Sequence, residues 1–170
     1  MNNLELIRAA QRGDLLAFNR LVLEYQETVF NLAYRVLCDE FAAAEAAQAT
    51  FLDAYQDLRR YHQGSFQVWL MQKAIQVCRQ KLHHNGHSAG RVLHQGLTVG
   101  EEQDLQRCLG ALSPEDRLVL VLVDIQGFDY VQAAHALETS PKKVQNQLAL
   151  ARQQLMDHMT GSLPAGGFIR

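Results

Sequence analysis

The stretch Leu112 to Met159, LSPEDRLVLVLVDIQGFDYVQAAHALETSPKKVQNQLALARQQLMDHM, carries its own helix boundaries. Ser113-Pro114 reads as an N-cap followed by proline at the first helical position, where a missing N–H leaves no bond unmade. An apolar run follows from Leu118 to Ile125, and Gly127 is a stop signal. Asp129, with Gln132 three residues on, has capping-box spacing at the start of a short helix. Ala133, Ala134, Ala136 and Leu137 fill that helix with small residues, so another helix can approach closely. Thr139-Ser140-Pro141 marks the next helix start. The last helix carries Val144, Leu148, Ala151 and Leu155 as one apolar stripe. Its other face offers Lys142, Lys143, Gln145, Asn146, Gln147 and Arg152. Two helices joined by a short turn, the second polar and partly basic outside, is the arrangement that sets a helix in a DNA major groove. The same pattern fits a plain helical hairpin with a solvated face.

Upstream, the helical period persists. Leu4 to Arg12 reads as a short helix ending at Gly13, and Asp14 caps a longer one with Phe18, Leu21, Val22, Tyr25, Val29, Leu32, Ala33 and Val36 inward. Asp39 caps an alanine-rich third helix, continued by Phe51, Leu52, Tyr55 and Leu58. Tyr61 to Ser65 is a connector containing Gly64, and a fourth helix runs from about Phe66 to His84. NGHSAGRVLHQGLTVG, Asn85 to Gly100, holds four glycines and no period. A helix resumes at Glu101, and GSLPAGGFIR after Thr160 reads as a frayed tail. The expected architecture is all-α: a helical bundle at 1–84, a flexible linker at 85–100, a helix-turn-helix bundle at 101–160 and a tail at 161–170.

Composition narrows the function. A hydrophobic fraction of 48% with three prolines in 170 residues fits a well-packed helical protein. No apolar run reaches the roughly 20 residues of a membrane span, and the N-terminus has no apolar signal core. Cys38, Cys78 and Cys108 are three in number and have no CxxC spacing, which points to reduced thiols in a cytoplasm. The formal net charge is −2, unlike a free-standing nucleic-acid binder, so a second partner is expected to supply most of the affinity. No Gly-rich phosphate loop, HExxH or GxSxG occurs, so no enzyme is expected. His83, His84, His87 and His94 lack zinc spacing with cysteine; neither metal nor cofactor is expected.

The order of these elements resembles bacterial RNA polymerase sigma factors of the extracytoplasmic-function type. RAAQRGDLLAFNRLVLEY, Arg8 to Tyr25, resembles the opening of their second region. AAAEAAQATFLDAYQDL, Ala42 to Leu58, is similar to the family's acidic-then-Gln-x-x-Phe helix through Gln48 and Phe51. FQVWLMQKA, Phe66 to Ala74, resembles its Phe-x-x-Trp-Leu segment, and Leu112 to Leu155 resembles its fourth region through Arg117, Asp124, Gly127 and Ala151-Arg152.

The resemblance implies a cytoplasmic factor that binds core RNA polymerase and promoter DNA, without catalysis of its own, and that an anti-sigma protein can hold inactive. It implies −35 element contact through Lys142, Lys143, Gln145, Asn146, Gln147 and Arg152. It implies −10 element contact through Trp69, Lys73, Gln76, Arg79, Lys81 and His83, and polymerase contact through Glu45, Gln48 and Asp53. Read from the residues alone, Trp69 fits a core anchor, and Arg152 fits equally a tie to Asp124.

This chain departs from the family where DNA is touched. Val144-Gln145-Asn146-Gln147-Leu148 stands where the family has Val-Lys-Ser-Arg-Leu, so two cations are neutral amides. Amides still pair with adenine edges but do not neutralise phosphate. Gln76, Gln80 and His83-His84 replace an Asn, an Asp and an Arg pair, and the acidic docking cluster is thinned to Glu45. These losses admit an alternative: a sigma-like interaction module, an anti-sigma decoy or polymerase-bound regulator, that does not read promoters.

Overall fold

The computed structural model describes residues 3–84 and 101–161, with side chains for 3–83 and 104–160. The expected linker, 85–100, lies outside the described residues, as do 162–170 of the expected tail and His87 and His94 of the histidine group. Among the described residues every regular element is a helix. The first four are α1 (Asn3–Gln11), α2 (Leu15–Leu37), α3 (Glu40–Asp57) and α4 (Phe66–His84). The second four are α5 (Glu101–Ala111), α6 (Pro114–Leu120), α7 (Tyr130–Leu137) and α8 (Pro141–Gly161).

The sequence's punctuation sets these boundaries. Gly13 turns the chain at φ +97°, and the Asp14 carboxylate then accepts from the Leu16 and Ala17 amides at 2.9 and 3.1 Å. Asp39 accepts from Ala42 N–H at 2.7 Å. Such caps satisfy amide donors that have no partner within the helix. Between them α2 ends on Cys38, a non-glycine residue in the left-handed region at φ 55°. The alanines of α3 matter on one side: Ala43, Ala46 and Ala54 are fully buried, and α3 packs against both α2 and α4.

In the C-terminal half, Ser113 accepts from Asp116 N–H at 3.2 Å, with Pro114 at the first helical position. The capping box forms in full: Asp129 accepts from Gln132 N–H at 2.8 Å, and Gln132 accepts from Asp129 N–H at 3.1 Å. One feature differs from the expected plain helix ending at Gly127. After Leu120 the coil widens into a π turn, Val121–Ile125, with Gln126 N–H bonded to the Val121 carbonyl. Phe128 N–H reaches back to the Leu122 carbonyl, and the Phe128 ring is buried. The wider turn lets the chain tuck Phe128 inward before α7 begins.

The two bundles do not keep separate cores. Their buried side chains form one cluster that includes Leu32 and Val36 of α2, Leu109 of α5 and Leu118 of α6. The reason lies in α2. Its 23 residues span about 34 Å at 1.5 Å per residue, enough to extend beyond its own bundle and pack on α5 and α6. α4 packs on α7 beside it.

Arg117 sits at that junction and is buried. Its guanidinium donates to the Val36 carbonyl at the end of α2, and at 3.0 Å each to the carbonyls of Gly110 and Leu112 at the end of α5. It also lies 3.3 Å from the Cys38 sulfur. Both helices present carbonyl-rich, partly negative ends there, so the buried cation is held without a carboxylate. Desolvation pulls its pKa below the usual arginine range. Gln106 adds a second tie, donating to the Tyr34 carbonyl at 2.9 Å.

Candidate nucleic-acid interface

α8 is anchored by Val144, Leu148 and Ala151, all buried, and packs against α5, α6 and α7. That fixes what faces outward. Lys142, Lys143, Gln145 and Asn146 are exposed on its first turns. The Lys143 amide donates to Ser140 Oγ at 3.3 Å, so the cap foreseen at Thr139-Ser140 is Ser140. Glu138, left-handed at φ 57°, makes the tight turn from α7.

The other two residues expected on this face are tied back. Gln147 is half-buried and donates to Asp116 Oδ1 at 3.2 Å, while Ser113 Oγ donates to Asp116 Oδ2 at 2.7 Å. Arg152 makes a two-pronged pair with Asp124, at 2.9 and 2.5 Å. That bond raises the Arg152 pKa further. Of the two readings of Arg152, the structure has the tie to Asp124. The π turn supports it, since Asp124 belongs to that turn.

The α4 residues are more engaged than their sequence reading implied. Trp69 is half-buried in an aromatic group, with ring centroids 5.5 Å from Phe66 and 5.4 Å from Tyr61. It packs against the core, as the residue reading had it. Lys73 Nζ lies 5.1 Å from its ring centroid and bonds Asp57 Oδ2 at 2.8 Å. The ammonium holds the Asp57 carboxyl below its ordinary range. Lys81 bonds Glu45 at 2.8 Å. Arg79 makes a two-pronged pair with Glu115 of α6, at 3.1 and 2.8 Å. Gln76 and His83 are exposed.

On α3, Glu45, Gln48 and Asp53 are exposed, although Glu45 is occupied by Lys81. Gln48 borders an apolar groove of about 360 Å³ between α2 and α3, lined by Leu15, Phe18, Val22, Phe51, Leu52 and Tyr55. Among the described residues no group of three or more His, Cys, Asp or Glu side chains could hold a metal, and no helix is long and apolar enough to cross a membrane.

The description "Sigma-70 region 2" matches residues 21–87, and "Sigma-70, region 4" matches residues 102–155. The chain belongs to the sigma-70 family. Region 2 thus covers most of α2 and all of α3 and α4, and region 4 runs from α5 into α8. Within this family the chain is similar to members of the extracytoplasmic-function type. It is 26% identical over 158 residues to the ECF RNA polymerase sigma factor SigE of Mycolicibacterium smegmatis, covering 84% of this chain and 62% of that protein. It is 36% identical over 83 residues to the RNA polymerase sigma-H factor of Pseudomonas aeruginosa, covering 48% of this chain and 43% of that one. SigM of Mycobacterium tuberculosis is 25% identical, with coverage of 99% and 90%. The chain therefore spans less than two thirds of the length of SigE and less than half that of sigma-H. Among solved structures, CnrH in complex with the cytosolic domain of CnrY superposes with a TM-score of 0.74 and 26% identity, covering 92% of this chain and 96% of that one. The sigma factor RpoE of Bartonella quintana, in complex with the anti-sigma factor NepR, shares the fold at a TM-score of 0.71.

Sequence reasoning missed the carboxylates that occupy the cations. Nothing in the local pattern of Glu115, Asp57 or Glu45 points across the fold to Arg79, Lys73 or Lys81. Arg117 was visible only as a family position. Its stronger signal was physical: a charge that begins an apolar run has to find buried acceptors.

Proposed function

We propose that this sigma-70 family chain is a transcription initiation factor that brings core RNA polymerase to promoters and is not itself an enzyme. In this reading α8 enters the major groove at the −35 element. Lys142 and Lys143 meet phosphates, and Gln145 and Asn146 read base edges. Region 2 docks on polymerase through Glu45, Gln48 and Asp53, and the α4 residues Trp69, Lys73, Gln76, Arg79, Lys81 and His83 handle the −10 element. Polymerase supplies the affinity that a net charge of −2 does not. The work is cytoplasmic. The observation that supports this most is the outward face of α8: two lysines and two amides, all exposed, on a helix whose start and inner stripe are fixed by packing.

The test is transcription in vitro. Core polymerase with this protein should initiate from a defined promoter, and core alone should not. Failure to co-purify with core polymerase overturns the proposal.

The rival reading is a sigma-like decoy or polymerase-bound regulator. It is favoured by one observation: Gln147 and Arg152 are already bonded to Asp116 and Asp124. CnrH was captured with the cytosolic domain of CnrY, and a protein partner on this chain suits either reading. DNA dependence separates them. Under the first, Gln145→Ala or Asn146→Ala weakens promoter use and leaves polymerase binding intact. Under the second these changes alter nothing.

A further inference from the structure

The connector between α3 and α4 is fastened at several points. Gln11 of α1 donates through Nε2 to the carbonyls of Leu58 and Tyr61, at 3.0 and 2.6 Å. The Tyr61 hydroxyl donates to the Gly64 carbonyl at 2.6 Å, where Gly64 takes φ +101°. Trp69 stands at the end of the first turn of α4, and its half-buried indole leans on Phe66 and Tyr61. It is the single tryptophan of the chain.

Lys73 lies one turn further along α4, four residues on, and so shares a face with Trp69. Its Nζ is 5.1 Å from the indole centroid, within cation–π range, and 2.8 Å from Asp57 Oδ2. Asp57 is the last residue of α3, so the pair ties one helix to the next across the connector. The other Asp57 oxygen accepts from Arg60 at 3.1 Å. The Lys73 side chain is only 12% exposed. An ammonium so covered and doubly engaged is poorly placed to meet a phosphate, and it closes the part of the indole beneath it to a base.

We propose that Lys73 and Asp57 are positioning residues for Trp69: they fix the indole so that its open part stacks on one unpaired base, and Lys73 makes no phosphate contact. This rests on the promoter-binding reading above and changes the part that Lys73 plays in it. A platform already held in place loses little freedom when a base arrives. Stacking on an aromatic face tolerates any base, so the pair acts on how readily DNA opens, not on which sequence is chosen.

The experiment uses the full chain, alone and with core polymerase, as wild type, Asp57→Asn, Lys73→Gln, the double variant and Lys73→Arg. Tryptophan fluorescence of the free chain reports on Trp69 alone. Each single variant should increase acrylamide quenching and shift the emission. The double variant should go no further than either, and Lys73→Arg, which keeps the cation and its carboxylate bond, should stay near wild type. With polymerase, permanganate reactivity of unpaired thymines measures promoter opening. Each single variant should reduce opening about five-fold or more, from the lower end of what one base stack contributes. The double variant should lose no more than either, and Lys73→Arg should recover most of the loss.

Phosphate contact gives different results. Under it, Lys73→Gln lowers the salt slope of promoter binding by about one. Asp57→Asn, which frees Lys73 and Arg60, then strengthens binding. Either result overturns the proposal, as does unchanged fluorescence or unchanged opening in both single variants. Thermal melting verifies folding. If Lys73→Gln does not fold, Asp57→Asn decides alone: its side chain is 37% exposed, and the two readings give its effect opposite signs. Failure of the wild type to open any promoter refutes the sigma reading, and the free-chain fluorescence still decides whether the ion pair sets Trp69.

Discussion

The guanidinium of Arg117 on α6 donates to the carbonyl of Val36 in the last turn of α2, so a residue of region 4 closes a helix of region 2. The bond joins parts of the chain 81 residues apart. It also explains why the bundles share one core. α2 projects past its own bundle, and its buried carbonyl end needs a donor, which Arg117 of α6 provides.

Replacing Arg117 with alanine leaves the buried carbonyls of Val36 and Leu112, and the half-buried carbonyl of Gly110, without that donor. Such losses cost about 1–3 kcal/mol for each unsatisfied buried group at most, with partial relief from water. The expected outcome for Arg117→Ala is a loss of about 3 kcal/mol in denaturant unfolding. Arg117→Lys should recover only part of this, because one ammonium cannot span three carbonyls in the plane of a fork. Scattering gives a second measure. The wild-type chain should show a radius of gyration near 15–16 Å, about that of a single globule of this length, and Arg117→Ala a larger one.

Cys78 gives a pH prediction. Burial pushes its thiol up to about 12, from 9.0. The folded-state value is raised, so the contribution to stability is present in full below pH 9 and is lost as pH rises toward 12. Above pH 9 the unfolded chain gains by ionising this thiol and the folded chain does not. Unfolding midpoints should therefore fall on the alkaline side, and Cys78→Ala should flatten that limb while lowering stability modestly at neutral pH. Thiol labelling at pH 8 checks the same burial. Cys78 and Cys108, both buried, should react only on unfolding, and half-buried Cys38 faster than either.

How far the sequence could be read follows from what each residue answers to. Asp14, Asp39, Ser113 and Asp129 act on amides two or three positions away, so their caps were legible locally, and each forms as expected. The inner stripe of α8 was legible for the same reason: helical period alone puts Val144, Leu148 and Ala151 on one side. The π turn was not legible, because it arises from Phe128 turning into a core built by distant residues. Nor were the partners of Arg79, Lys73 and Lys81. A basic stripe in sequence is silent on whether its charges meet DNA or a carboxylate brought near by folding. Here Glu115 arrives from α6, and Asp57 and Glu45 from the two ends of α3.

The capping box at Asp129 sets where α7 begins, and through α7 the placement of α8. Asp129→Ala removes the acceptor for the Gln132 amide and should cost about 1 kcal/mol. Leu148→Ala, at a fully buried position between α8 and its neighbours, should cost about 2–5 kcal/mol by opening a cavity. Both are measured by denaturant unfolding. A Leu148→Ala effect under 1 kcal/mol would mean that α8 is not seated on the core.

The face of α8 makes a final prediction that separates phosphate contact from base reading. Lys142 and Lys143 are exposed at the helix start, where backbone N–H groups add to their pull on phosphate. Removing either lysine should weaken promoter binding by the holoenzyme on all sequences alike and lower the salt slope by about one. Gln145→Ala or Asn146→Ala should leave the slope unchanged and relax base preference, at a cost of about 1–3 kcal/mol for each lost two-pronged pair. Gln145→Lys restores a cation where the family carries one, and should tighten binding while steepening the slope. The measurement is promoter affinity of the polymerase complex across a salt series, on matched and substituted −35 elements. If Gln145 and Lys142 variants shift the slope equally, α8 meets only the backbone, and sequence reading must lie elsewhere in the chain.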